Sequence, residues 1–227
     1  MKKFLKDERG FSLIEIAIAL IVVGLILGGV LKGQELIENA KLNVVARNVD
    51  MYRVAIHLFN DTYGGWPGDF HLASSHIHPS LRNGQNDGII GGQGLNPLDE
   101  AGNVWTHLSR SGLIGDVGQL PSQGYAKGGQ GVPQEKIGGV ITVQHDPYPD
   151  MPGPWLVLGR ENGAHGDGAL LTPQQAQILA QKMDSRDPTS GRVRGHAGAN
   201  VSAEDCIKNG HFNSANKQPA CILYFQI

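Results

Sequence analysis

The sequence predicts an α+β fold, with a long N-terminal helix packed on a small antiparallel sheet with long loops. Three observations carry this. Residues 11–63 contain no proline, and the first part of that stretch is almost wholly apolar. All 12 prolines and 27 of the 32 glycines lie from Gly64 onward, so the composition changes from helix-compatible to turn-rich near Tyr63. Short apolar runs then recur between the glycines, as strands do.

Taken in order, Met1 to Gly10 is a short polar leader with Lys2, Lys3, Lys6 and Arg9 against Asp7 and Glu8. Phe11 to Leu31 is broken only by Ser12, Glu15 and three glycines. These 21 residues suffice to cross a hydrocarbon core of about 30 Å as a helix. Basic residues on the leader side keep that side cytoplasmic and send the rest of the chain outward. From residue 34 the pattern turns amphipathic. Val45, Val49, Tyr52, Ile56 and Phe59 fall at spacings of four, three, four and three, one helix face. Gly64, Gly65 and Pro67 end the helix. At 1.5 Å per residue it would be roughly 80 Å long.

The expected organisation is therefore a leader over 1–10, a membrane helix over 11–33, its amphipathic continuation over 34–63, and a globular domain over 64–227. Within that domain, residues 64–137 read as irregular, with one short helix from Trp105 to Leu113. Val140 to Val143, Trp155 to Leu158 and Ile222 to Phe225 read as strands. Thr172-Pro173 opens a helix that runs to about Met183, with a capping hydroxyl before a first-turn proline.

No small-residue cleavage site of the ordinary secretory kind follows the apolar run. Instead Gly10 precedes it, and Phe11-Ser12-Leu13-Ile14-Glu15 opens it. This resembles the signal of type IV prepilins and type II secretion pseudopilins. The resemblance implies cleavage after Gly10 by the prepilin peptidase, N-methylation of Phe11, and a role for Glu15 in subunit assembly. It also implies a pilin-like lollipop fold and a structural subunit, pilin or pseudopilin, rather than an enzyme. The partners implied are other pilins or pseudopilins, an inner-membrane assembly platform and the lipid itself, with the C-terminal domain periplasmic or carried outside in a filament. The length beyond Gly10 favours a minor or specialised subunit. One departure is that Lys32 stands near the place where many relatives carry a helix proline. The glycines at 24, 28, 29 and 33 are candidates for local softness and close helix contact.

Glu15 also has a physical reason to be there. An ionisable group in a membrane span costs about 3 kcal/mol on the more conservative scales unless paired. A cleaved Phe11 would supply a positive amine for the carboxylate of a neighbouring subunit. The competing reading is a plain signal anchor with one stray acid.

Further stretches resemble a subgroup of prepilin-like proteins, a likeness that implies no activity. They are Trp66-Pro67-Gly68-Asp69, Asn86-Asp87-Gly88-Ile89, Trp105-Thr106-His107-Leu108 with Gly112-Leu113-Ile114, and Lys182-Met183-Asp184 with Gly191.

In an exported chain Cys206 and Cys221 read as one disulfide; two cysteines are too few for a zinc site. Asn83, Gln85 and Asp87, with Gly88 at the sixth position, resemble the start of a calcium loop, but the twelfth position is Gly94 rather than glutamate. A plain Asn-Gly-rich turn is the alternative, and no other cofactor is expected. His71, His76 and His78 read as loop histidines before a zinc or copper site. Arg186, Arg192, Arg194 and His196 form a basic stretch that Asp184 and Asp187 dilute. A net charge of −2 and the lack of interleaved aromatics argue against nucleic acid as a partner. No phosphate-binding loop or Gly-x-Ser-x-Gly elbow is present in the sequence. The alternative functions are a membrane-tethered periplasmic binding module that does not polymerise and, behind it, a tethered hydrolase.

Overall fold

The structure is a computed structural model that describes residues 12–184 and 187–227. The elements in chain order are α1 (Leu13–Tyr63), α2 (Ala73–His76), α3 (Glu100–Arg110), β1 (Lys127–Gly128), β2 (Gly131–Val132), β3 (Val140–His145), β4 (Pro154–Asn162), β5 (His165–Gly168), α4 (Pro173–Met183), β6 (Val193–Ala197), α5 (Ala203–Cys206), β7 (Ile207–Lys208), β8 (His211–Phe212) and β9 (Cys221–Gln226). The fold is α+β, with one long N-terminal helix and an antiparallel sheet.

The chain divides into two compact units, 1–40 and 41–227, and α1 contributes to both. In the first unit the helix presents an apolar surface to its surroundings, from Leu13 at 91% exposed to Leu31 at 68%. This helix is long and apolar enough to cross a membrane. An exposed pair, Lys32 Nζ to Glu35 Oε2 at 2.7 Å, follows the apolar stretch.

In the second unit α1 becomes a core helix. Val45, Val49, Tyr52, Ile56 and Phe59 are all buried, as their spacing predicts. Burying each of the larger apolar side chains is worth about 1.5–3 kcal/mol. Tyr52 meets Trp105 of α3 edge to face at 4.9 Å, and Phe59 meets Phe70 at 6.1 Å. Arg53 Nε donates to the Gln226 carbonyl at 2.7 Å, which ties α1 to the end of β9. Gly64 ends the helix at φ +74°, the left-handed conformation that glycine adopts without steric cost.

The main sheet has the order β3-β4-β9-β6, antiparallel throughout, with β5 paired to β4 beyond an irregularity between Arg160 and Asn162. Both faces of the central strands are covered, which explains their unbroken apolar runs. Leu156, Leu158, Leu223 and Phe225 join the core that holds α1, α3 and α4. Trp155, Val157, Ile222 and Tyr224 pack on the other face against Met151 and Tyr148.

Helix α4 starts as its sequence predicts. Thr172 Oγ1 accepts from Gln175 N, while the Gln175 side chain accepts from Thr172 N, a reciprocal capping box. Helix α3 differs from the expected Trp105–Leu113: it starts at Glu100 and ends at Arg110. Gly102 obscured that start, because glycine weakens a helix by about 1 kcal/mol relative to alanine. Here a Cβ at Gly102 would lie 1.9 Å from the Asn96 carbonyl oxygen, so the close approach of the preceding loop requires glycine.

Candidate functional site

Two places collect the residues singled out in the sequence. The first is the start of α1. Gly10 and Phe11 lie outside the described residues. Ser12 and Glu15 are described, and they form a capping arrangement. Ser12 N donates to Glu15 Oε2 at 2.8 Å, and Ile14 N donates to Ser12 Oγ at 3.4 Å. The Ser-x-x-Glu spacing is a recognisable helix start, and a carboxylate in the first turn also complements the helix dipole. Reading Glu15 only as a charge in an apolar run missed this local function. The acid therefore has a partner within its own chain. Side chains added at Gly24, Gly28, Gly29 or Gly33 would meet nothing within 4 Å, so that surface is open to close approach.

The second place is the loop region around the N-terminus of α3. Asp69, buried at 1% exposure, accepts from Asp87 N at 3.1 Å and Gly88 N at 3.0 Å. Glu100 accepts from Gln85 N and Gly91 N, each at 2.8 Å. The ligand atoms of Asp69, Asp87 and Glu100 lie within 4.8 Å of one another, so these three residues could hold a divalent cation. Of the sequence trio, Asp87 belongs to this group. Asn83 Oδ1 accepts from Ser74 N, and Gln85 takes part through its backbone N–H. Asp69 and Glu100 were missed as partners of Asp87 because they come from segments far apart in sequence.

Beside this loop sits His107, fully buried on α3. Its Nδ1 accepts from Gly68 N at 3.0 Å, so its proton is on Nε2, which donates to the Arg82 carbonyl at 2.9 Å. Burial holds its pKa down to about 4, only partly opposed by the Arg82 hydrogen bond. The Trp66–Asp69, Asn86–Ile89 and Trp105–Leu108 stretches thus converge on one interlocked region. Glycines permit the contact: a Cβ at Gly84 would stand 2.2 Å from the Asp69 backbone carbon.

The remaining candidates are occupied structurally. His76 and His78 make ring contacts to the Ser75 and Ser80 hydroxyls at 3.3 and 2.7 Å. Among the described residues, no cluster suited to a metal includes His71, His76 or His78. Arg194 and His196 of the basic stretch lie on strand β6: Arg194 pairs with Asp150 and lies 5.6 Å over the Trp155 ring. His196 stacks on Tyr148 at 4.0 Å, and burial lowers its pKa first of all. Arg186 lies outside the described residues. Cys206 and Cys221 form a disulfide that fixes the end of α5 to the start of β9.

Residues 5–31 match the family model described as the prokaryotic N-terminal methylation motif, the prepilin signal of type IV pilins and pseudopilins. No curated protein and no solved structure gives a significant match to the chain.

Proposed function

We propose that this chain is a prepilin: the precursor of a structural subunit, pilin or pseudopilin, of a type IV pilus or type II secretion pseudopilus. The prepilin peptidase cuts after Gly10, Phe11 becomes the N-methylated first residue, and the apolar half of α1 holds the subunit in the inner membrane until assembly. The globular unit stands on the periplasmic side, and the size of the chain beyond Gly10 favours a minor or specialised subunit. Partners are the peptidase, an inner-membrane assembly platform and other pilin-type subunits.

The observation that carries this reading is the open apolar surface of α1 from Leu13 to Leu31, directly within the matched signal. Exposing that much apolar surface to water is costly, at about 25 cal/mol per Å². Lipid covers it first and neighbouring helices cover it afterwards. In the filament, Glu15 exchanges its cap contact with Ser12 for the Phe11 amine of a neighbour. A misplaced subunit would leave a buried charge unpaired, which selects register.

Glu15→Ala tests the assembly step. Processing should continue while incorporation into sheared filaments falls by roughly tenfold or more, matching a lost pairing of about 1.4 kcal/mol or more. Normal incorporation of the variant would remove Glu15 from assembly. A wild-type chain that is processed but stays monomeric in the membrane would favour the tethered binding module instead.

A further inference from the structure

A cleft of about 530 Å³ in the globular unit lies between α3, the 78–82 segment and the 117–122 loop. That volume suits a small-molecule ligand. Its chemistry is one-sided. Among the described residues Arg82 and Arg110 line it, and no carboxylate does. Among the described residues neither guanidinium has an ion-pair or hydrogen-bond partner, whereas Arg53 and Arg194 each pair with an aspartate. Arg82 also borders the smaller cavity that holds Asp99 and Glu100, and forms no ion pair with either. The hydroxyls of Ser109 and Ser122 add donors to the walls, while the Thr106 hydroxyl donates to the Asn103 carbonyl at 2.8 Å.

The rest of the lining is apolar. Leu81 and Val117 are buried, and Leu98 is 69% exposed, the most exposed large apolar side chain described within residues 41–227. The walls are also fixed in place. The Arg82 carbonyl accepts from buried His107, and the Val117 carbonyl accepts from Gly131 N at 2.8 Å. Gly118 packs so closely that a Cβ there would lie 2.3 Å from the Gly129 oxygen. Preformed walls lower the ordering cost of binding.

We propose that this cleft binds a small organic anion, with a carboxylate or phosphate held by Arg82 and Arg110 and an apolar body seated on Leu81, Leu98 and Val117. Guanidinium forks match the planar and tetrahedral oxyanions of those groups, and the absence of a lining acid leaves their charge for the ligand. The site stands whether or not the subunit polymerises.

Isothermal titration of the full chain in detergent tests it, with 4-phenylbutyrate and phenyl phosphate as anionic probes and 4-phenylbutanol as the neutral one. Both arginines are exposed and unpartnered, so Arg82→Gln/Arg110→Gln should keep the unfolding midpoint; micelle partitioning is then common to both proteins. The wild type should bind at least one anion roughly tenfold more tightly than the alcohol, and the double variant should lose that advantage. Leu98→Ala should weaken anion and alcohol alike. The stronger anion identifies the headgroup as carboxylate or phosphate. No saturable heat with either anion up to about 10 mM, or equal anion affinity in wild type and double variant, would overturn the proposal.

Discussion

Protonating His107 should loosen the region where the loop carboxylates meet α3. Its ring is fully buried, accepting from Gly68 N–H and donating to the Arg82 carbonyl, so both nitrogens are used in the neutral form. A second proton would place a charge in the core and turn the Gly68 acceptor into a donor. The folded pKa is about 4, against an ordinary 6.5. A depressed pKa means that the unfolded chain binds the proton first. The stabilising contribution is therefore fully present above pH 6.5 and is lost as pH falls from there toward 4. That difference is about 3 kcal/mol in all, at a slope of up to about 1.4 kcal/mol per pH unit.

Glu135 works in the opposite direction. It is buried beside Asn48, and burial raises its pKa, so the folded state gains from protonating it as pH falls. A comparison with His107→Asn separates the two. The asparagine oxygen keeps an acceptor for Gly68 N–H but loses the Arg82 contact and the proton uptake. Chemical unfolding of the full chain in detergent, followed by near-UV circular dichroism, should find the variant less stable at pH 7.5 by about 1–3 kcal/mol. The gap should then close by about 1 kcal/mol or more on going to pH 5.5. A gap that stays constant across that range would mean that His107 does not take up a proton on unfolding there.

The remaining predictions concern the frame and the carboxylate group. Replacing Cys206 and Cys221 by serine should cost about 3 kcal/mol, since the bridge closes a 15-residue separation; equal urea midpoints for both proteins would count against it. Gly68→Ala should destabilise by about 3 kcal/mol, because Gly68 sits at φ +92° and a Cβ would approach the Glu100 carbonyl oxygen to 2.4 Å. Calcium titration followed by thermal unfolding decides how Asp69, Asp87 and Glu100 are used. A raised midpoint that Asp87→Asn removes assigns a cation; an unchanged midpoint at millimolar calcium leaves them as acceptors for backbone N–H groups.

The buried stripe of α1 and the strands β3, β4 and β9 were legible because their burial writes a period or an apolar run into the sequence. Helix α4 was legible because its cap is local. Strand β6 was not: Arg194 and His196 look like part of a solvated basic patch, and only the fold supplies Asp150, Trp155 and Tyr148 as their partners. The same limit applies to Asp69 and Glu100, which meet Asp87 across loops of no fixed period. Glu15 shows the reverse case. Its cap with Ser12 is written in four adjacent residues, yet the surrounding apolar run drew attention to its cost in a membrane. The apolar surface of α1 over Leu13 to Leu31 was readable because it is written as one run of adjacent, almost wholly apolar residues.

The central claim is that this chain is a prepilin substrate, and the intact mass of the protein from its native membrane tests it most directly. In cells with the prepilin peptidase the account predicts a species that begins at Phe11 and carries one added methyl group. In cells without the enzyme it predicts a chain that retains Met1 to Gly10. An unprocessed chain in both would contradict the account, leaving an ordinary signal-anchored protein whose function must be sought in the globular unit.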